Sequence, residues 1–175
     1  TKKKGETPLR LRFTLTTSDA PELKRVAALV KRDWEAVGVS VDLKVFEWGA
    51  LNQTAIRPRD YEALLFGEIV GRNPDLYPFW HSSQAASPGA NISQYANRRA
   101  DGLLEEARRL TDETERRARY DEFQKIVTAE LPAIFLLRPN YTYAIDNRVR
   151  GVSFDRLASP EHRFRDITNW YVKTK

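Results

Sequence analysis

Leu9, Leu11, Phe13 and Leu15 alternate with Arg10, Arg12 and Thr14, a period of two that predicts a strand with one face buried. The period then changes. Leu23, Val26, Ala27, Val30, Trp34 and Val37 recur at helical spacing, with Ser18 or Asp19 as the cap, Pro21 in the first turn and Gly38 at the exit. Val39, Val41, Leu43 and Val45 alternate with Ser40, Asp42 and Lys44, which predicts a second strand. Two strands joined through a helix of this length pair in parallel, with a right-handed crossover.

Residues 48–56 predict a short helix stopped by Pro58, and residues 61–66 a third, largely buried strand that runs into Gly67. From Gly71 to Gly89 the chain holds three prolines and several turn formers, so an irregular segment is expected, with one helical turn over residues 76–80. A loop of that length is usually functional or disordered. Residues 98–110 and 114–130 read as two antiparallel amphipathic helices. They turn Leu103, Leu104, Ala107 and Leu110, then Tyr120, Phe123, Ile126 and Val127, inward. Pro132 opens what reads as a buried strand over residues 133–137, and Tyr141, Tyr143 and Ile145 alternate in a further strand that ends at Asp146-Asn147. The whole of residues 1–175 is accounted for by a single α/β domain without internal repeats, expected to fold alone as a monomer.

Composition narrows the classes. Hydrophobic residues make up 41% and charged residues 30% of the 175, the balance of a globular domain. The longest apolar run, 133–137, is far short of the roughly 20 residues of a membrane span. The first residues are basic but no apolar region follows them. They do not read as a signal peptide, so the chain is either cytosolic or begins after an export signal. With no cysteine there are no disulfides, thiolate metal sites or cysteine nucleophiles. The net charge of +5 raises nucleic acid as a partner, but beyond Lys2–Lys4 the basic residues are interleaved with acids. Glu105, Glu106, Arg108, Arg109, Asp112, Glu113, Glu115, Arg116 and Arg117 form the pattern of a solvated, ion-paired helix face rather than a phosphate track. No nucleic-acid partner is expected. His81 and His162 are the two histidines and lie far apart in sequence, so no metal site and no cofactor is expected. The chain has no Gly-x-Ser-x-Gly elbow, no phosphate-cradling glycine loop, no His-Glu-x-x-His and no arrangement of Ser, His and Asp that argues for a triad. No catalytic residue is assigned.

An ordered set of motifs resembles one family. The first strand ends in Thr17-Ser18-Asp19. The first helix exits through Leu-Val-Lys-Arg-Asp-Trp-Glu-Ala-Val-Gly-Val at 29–39, and Trp48 follows the second strand. Asn73-Pro74-Asp75, Phe79-Trp80-His81-Ser82, Tyr95-Ala96-Asn97 and Asp101 come next. Leu103-Leu104-Glu105-Glu106-Ala107-Arg108, then Arg117, Tyr120, Gln124 and Leu131-Pro132-Ala133-Ile134-Phe135-Leu136, complete the series. Together they resemble the bacterial extracellular solute-binding proteins that include oligopeptide-, dipeptide- and nickel-binding members of ABC importers.

The resemblance implies one lobe of a type II periplasmic-binding-protein fold, with a mixed sheet flanked by helices. In the family two lobes close over a ligand by hinge motion. The chain would be the C-terminal lobe, and the N-terminal lobe of the same protein its missing partner. Implied function is binding without catalysis: a peptide or peptide-like solute is captured in the periplasm or outside the cell and passed to ABC permease subunits. The full-length protein would be held at the membrane by a lipoprotein anchor where it has one. Other solutes, an oligosaccharide or a nickel chelate, stand as alternatives. Residues 66–73 correspond to the stretch that lines the family's cleft, which assigns Phe66, Glu68, Val70, Arg72 and Asn73 to ligand binding, with Trp80 and His81 in the same loop. Peptide binders of the family carry an aspartate here for the ligand's ammonium group. This chain has Val70-Gly71-Arg72 instead, leaving Glu68 either as the substitute or as an exposed acid at a strand end. Trp80 reads equally as cleft wall or core. Asn52, Asn91 and Asn140 each open an Asn-x-Ser/Thr triplet, a pattern that also arises by chance.

Overall fold

The computed structural model describes residues 11–70, 75–153 and 160–173. Leu9 and Arg10, at the start of the first expected strand, lie outside them. Strand β1 (Arg12–Ser18) runs between two parallel neighbours, β2 (Ser40–Phe46) and β3 (Ala63–Leu64). Arg12 lies opposite Ser40 and Ser18 opposite Phe46, while Leu15 and Thr16 face Ala63 and Leu64. The carboxyl half of β1 is covered on both faces as well as paired along its edges. That is why β1 extends past Leu15 through Thr16, Thr17 and Ser18, which are 2%, 0% and 3% exposed although all three are polar. The third strand is shorter than the 61–66 expected, pairing over two residues only.

Helix α1 (Pro21–Ala36) connects β1 to β2 and lays Ala27 on Leu15 and Val41, with Phe13 meeting Trp34 edge to face at 4.8 Å. The cap is made by neither expected side chain at the helix itself: Ala20 precedes the first turn, and the Ser18 hydroxyl accepts a hydrogen bond from its N–H. Gly38 leaves the helix at φ +91°, where a side chain is strained. Val37, expected on the inward stripe, is exposed because it follows the last helical residue and no longer follows the helix face. Leu43 and Val45 are also largely exposed, since α1 packs on Val39 and Val41 and stops there.

After β2 come α2 (Trp48–Leu51) and a π-helical turn, Asn52–Ile56, that buries Leu51 and Ala55. The short helix α3 (Tyr77–Trp80) and a 3-10 turn, Ser82–Gln84, lead to α4 (Arg98–Arg109) and α5 (Glu113–Glu130). Asn97 caps α4 by accepting from the N–H groups of Arg99 and Ala100. Asp112 caps α5 by accepting from Glu115. Tyr95, Ala100, Leu103, Leu104, Phe123 and Val127 form a second core, with Tyr120 and Ile126 at its margin. Arg119 pairs with Glu106 at 2.7 Å and Arg99 with Glu122 at 2.9 Å across the outer face, the ion-paired surface that the charge pattern implies. Such exposed pairs contribute little to stability.

Leu131 closes α5 in the left-handed conformation, φ +50°, and the two strands expected after it do not form. Ile134, Phe135, Leu136 and Leu137 are exposed rather than buried, and 141–145 joins no ladder. A strand needs a hydrogen-bonded neighbour, and the described residues supply none here. The rings of Tyr141 and Tyr143 stack on each other instead, 6.3 Å apart, with the Arg163 guanidinium 5.1 Å from the Tyr143 ring. Beyond them β4 (Val149–Arg150) and β5 (Tyr171–Val172) make a separate antiparallel pair, so among the described residues parallel and antiparallel pairing occur in two different sheets.

Asn91 is fully buried and holds the loop before α4 in shape. Its amide donates to the carbonyl oxygens of Trp80, His81 and Tyr95 and its oxygen accepts from Ser93 Oγ and Tyr95 N–H. A side chain so enclosed is no glycan acceptor in the folded state. Replacing it leaves several buried backbone groups without partners. Asn91→Ala is expected to cost about 3 kcal/mol, read as a lower urea midpoint with the slope unchanged; an unmoved midpoint would refute this role.

Candidate functional site

Because β1, β2 and β3 are parallel, their carboxyl ends share one edge, the side on which open α/β sheets carry ligands. The chain shapes that edge residue by residue. Asp19 N–H donates to the Phe46 carbonyl at 2.8 Å, fastening the end of β1 to that of β2. Glu47 then caps α2 by accepting from the N–H groups of Gly49 and Ala50, which holds its carboxyl below the usual range. The cap fixes the orientation of the first helical residue, Trp48. On the other flank, Leu65 N–H donates to the Thr16 carbonyl and Thr17 Oγ1 donates to the Leu65 carbonyl. Phe66 follows, and its ring stacks on Trp48 at 5.4 Å with the planes 15° apart. Trp48 remains 54% exposed, so the pair presents an aromatic platform at the sheet edge.

Glu68 comes two residues later. Water reaches the residue, yet the protein around its carboxyl removes enough solvent to push it up to about 7. Ile69 and Val70 beside it are exposed. Phe66, Glu68 and Val70 thus occupy one stretch leaving the carboxyl end of β3, as the sequence implies, while Arg72 and Asn73 lie outside the described residues. Trp48 was not among the residues assigned to binding. The available signal was its position, directly after the carboxyl end of a strand and at the start of a helix.

Trp80 and His81 sit elsewhere. The Trp80 ring meets Tyr95 and Phe123 edge-on at 6.3 and 6.1 Å, within the core of α3, α4 and α5. His81 is buried and stacked on Tyr77 at 4.0 Å. Its Nδ1 accepts from Ser83 N–H at 3.1 Å, and its Nε2 lies 3.4 Å from a Glu105 carboxylate oxygen. The adjacent Ser82 donates through both N–H and hydroxyl to Asp101, and Arg108 pairs with Asp75 at 2.8 Å. These contacts secure the far end of the loop that begins at Phe66.

A concavity of about 460 Å³ lies apart from that platform, between Asn52, Ile56, Arg57, Arg59 and the turn Ser87, Pro88, Gly89. Arg59 is committed there, its guanidinium donating to the carbonyl oxygens of Ala85, Ile56 and Gly89. Gly89 is required, because a Cβ would lie 2.2 Å from the Gln84 carbonyl oxygen. Through Arg59 this concavity is a loop clamp, joining the π-helical turn to the turn at Gly89.

No family model matches the chain. The oligopeptide-binding protein AppA of Bacillus subtilis (strain 168) is 26% identical over 162 residues, 91% of this chain and 29% of the relative. Di/tripeptide-binding protein 2 of Pseudomonas aeruginosa (strain UCBPP-PA14) is 30% identical over 157 residues, 88% of this chain and 29% of the relative. The structure of AppA in complex with a nonapeptide matches with a TM-score of 0.74 over 94% of this chain and 32% of that one. The ABC transporter-associated periplasmic binding protein DppA from Helicobacter pylori, in complex with peptide STSA, is 30% identical with a TM-score of 0.62, over 71% of this chain and 25% of that one. The sheet and its flanking helices are therefore of the type II periplasmic-binding-protein class. Within that class the relatives that the chain resembles are oligopeptide- and dipeptide-binding proteins of bacteria. It spans less than a third of the length of these relatives.

The two tryptophans separate by their surroundings. Trp80→Ala removes a half-buried ring packed against Tyr95 and Phe123 at the margin of the helical core and is expected to cost about 2–3 kcal/mol. Trp48→Ala removes one exposed stacking contact and is expected to cost about 1 kcal/mol. Thermal melts of the two variants decide; equal losses would contradict the division between core and platform.

Proposed function

We propose that the chain is the C-terminal lobe of a two-lobe solute-binding protein, which captures peptides or peptide-like solutes outside the cytoplasmic membrane and delivers them to the permease of an ABC importer. The observation that carries this is the likeness of nearly the whole chain to AppA, a protein whose structure holds a nonapeptide. The periplasmic location and transporter association of the relative from Helicobacter pylori support the same compartment and partner. The lobe binds and does not catalyse, and the other wall of the cleft comes from the N-terminal lobe of the same monomer.

On this lobe the ligand wall is the carboxyl edge of the sheet. Trp48 and Phe66 offer a flat apolar surface to side chains of varied shape, which suits a binder of variable peptides. Glu68 and Val70 follow on the exit from β3, and Arg72 and Asn73, next in sequence, are assigned to binding with them. Trp80 and His81 act by anchoring the far end of the loop that begins at Phe66 to α4. Glu68 pairs with a ligand ammonium group, its carboxylate supplying the counter-charge that a desolvated cation needs.

That role has a sign. The carboxyl of Glu68 is raised, so the folded lobe disfavours its ionised form, and the stability this group contributes falls as pH rises from the ordinary carboxylate range through about 7. Because water reaches the residue, the shift is partly screened and its direction is what matters. An ammonium ligand needs the ionised form. Affinity of the longer protein for a free-amine peptide is therefore expected to rise between about pH 5.5 and 7.5, a range in which an α-ammonium stays largely protonated. Titration calorimetry across that range, repeated with Glu68→Gln and with an N-acetylated peptide, should show the rise flattened in both controls. A pH-independent affinity in the wild type would remove Glu68 from the site, and no peptide binding at all would overturn the reading itself.

A further inference from the structure

Residues 133–137 are Ala, Ile, Phe, Leu and Leu. Consecutive apolar residues of this kind are the pattern of a strand buried on both faces. In this chain Ile134, Phe135, Leu136 and Leu137 are 65%, 70%, 47% and 64% exposed, so neither face is covered. Among the described residues no hydrogen bond engages the backbone of these four. The run therefore exposes two apolar faces and two open edges together, a combination that water tolerates poorly and that invites pairing. Its position is nonetheless defined: Leu131 turns the chain off α5, and the Phe135 ring comes 5.9 Å from that of Trp80 in the helical core.

We infer that residues 133–137 are an interior strand of a sheet completed by the part of a longer protein that lies outside these 175 residues. The inference rests on the proposal that the chain is one lobe of such a protein. A second copy of the chain fits the observations less well. Two such runs meeting about a two-fold axis would satisfy one edge each and leave the other edge and the outer faces bare. The remainder of a protein of the relatives' size suffices, since about two thirds of AppA lies outside the matched region and has enough chain to flank both edges and cover both faces.

Hydrogen exchange tests this on unmodified protein. In the isolated chain the amides of 134–137 are expected to exchange as an unfolded segment does, while those of α4 and α5 are protected; in the longer protein the same four should be protected like the core. Ile134→Lys and Leu137→Lys, on opposite faces, should each leave the melting temperature of the isolated chain unchanged and lower it in the longer protein. Protection of these amides in the isolated monomer overturns the inference, as does protection that appears only when the isolated chain dimerises. A longer protein that binds peptide while these amides still exchange freely also overturns it. Protection in a longer protein that binds no peptide upholds the strand and removes the transport reading, so the two fail separately.

Discussion

The candidate site depends on β1 being held from both sides. Its ladder with β2 runs over seven paired positions, but the one with β3 is limited to two. So short a pairing is a weak means of fixing a neighbour. The Thr17 hydroxyl, buried and donating to the Leu65 carbonyl, extends the attachment past the end of the ladder. A polar side chain in that position would be costly without its partner, so the bond serves burial and geometry together. Through it Leu65 is fixed beside β1, Phe66 reaches Trp48, and Glu68 leaves the sheet at a defined point.

The helical part solves another problem. A long irregular loop leaves backbone groups that no ladder pairs, and burying them requires side chains to stand in. Asn91 does so for Trp80, His81 and Tyr95 at once, and Asp101 does so for Ser82. Two of those anchored residues were the ones assigned to a ligand wall. Their carbonyls and rings are held by Asn91 and by the aromatic margin of the α4–α5 core.

Much of this was legible from pattern. Leu15, Ala27, Val41 and Trp34, like Leu103, Leu104, Phe123 and Val127, were readable as inward-facing because each lies on a stripe whose period matches its element, but their division into two separate clusters was not. Thr16, Thr17 and Ser18 were not readable as buried, since polarity conceals a position between two strands. Trp80 and His81 share a loop with Arg72 and Asn73 in sequence, but nothing in spacing tells that the loop folds back on a helix pair. Trp48 was visible as a landmark of the family and not as a surface, because exposure depends on what stacks against it. The 133–137 run was read as a buried strand from its composition. Hydrophobic pattern states that a segment must be covered without stating which chain covers it.

The two exposed apolar regions differ in a way that bears on how they are used. Trp48 lies in α2, where Glu47 and the helix satisfy the nearby backbone, so returning its ring to water costs only apolar area. A surface of that kind suits repeated covering and uncovering, as hinge closure over a ligand requires. Ile134 to Leu137 expose unpaired amides and carbonyls along with their side chains. Each parting from a neighbour would forfeit ladder hydrogen bonds as well as apolar burial, which suits a contact made once in folding and then kept. In the proposed two-lobe protein, a first surface that opens and closes while the run stays paired would let the lobes move about a joint that is itself continuous sheet, the cleft edge swinging relative to that fixed strand.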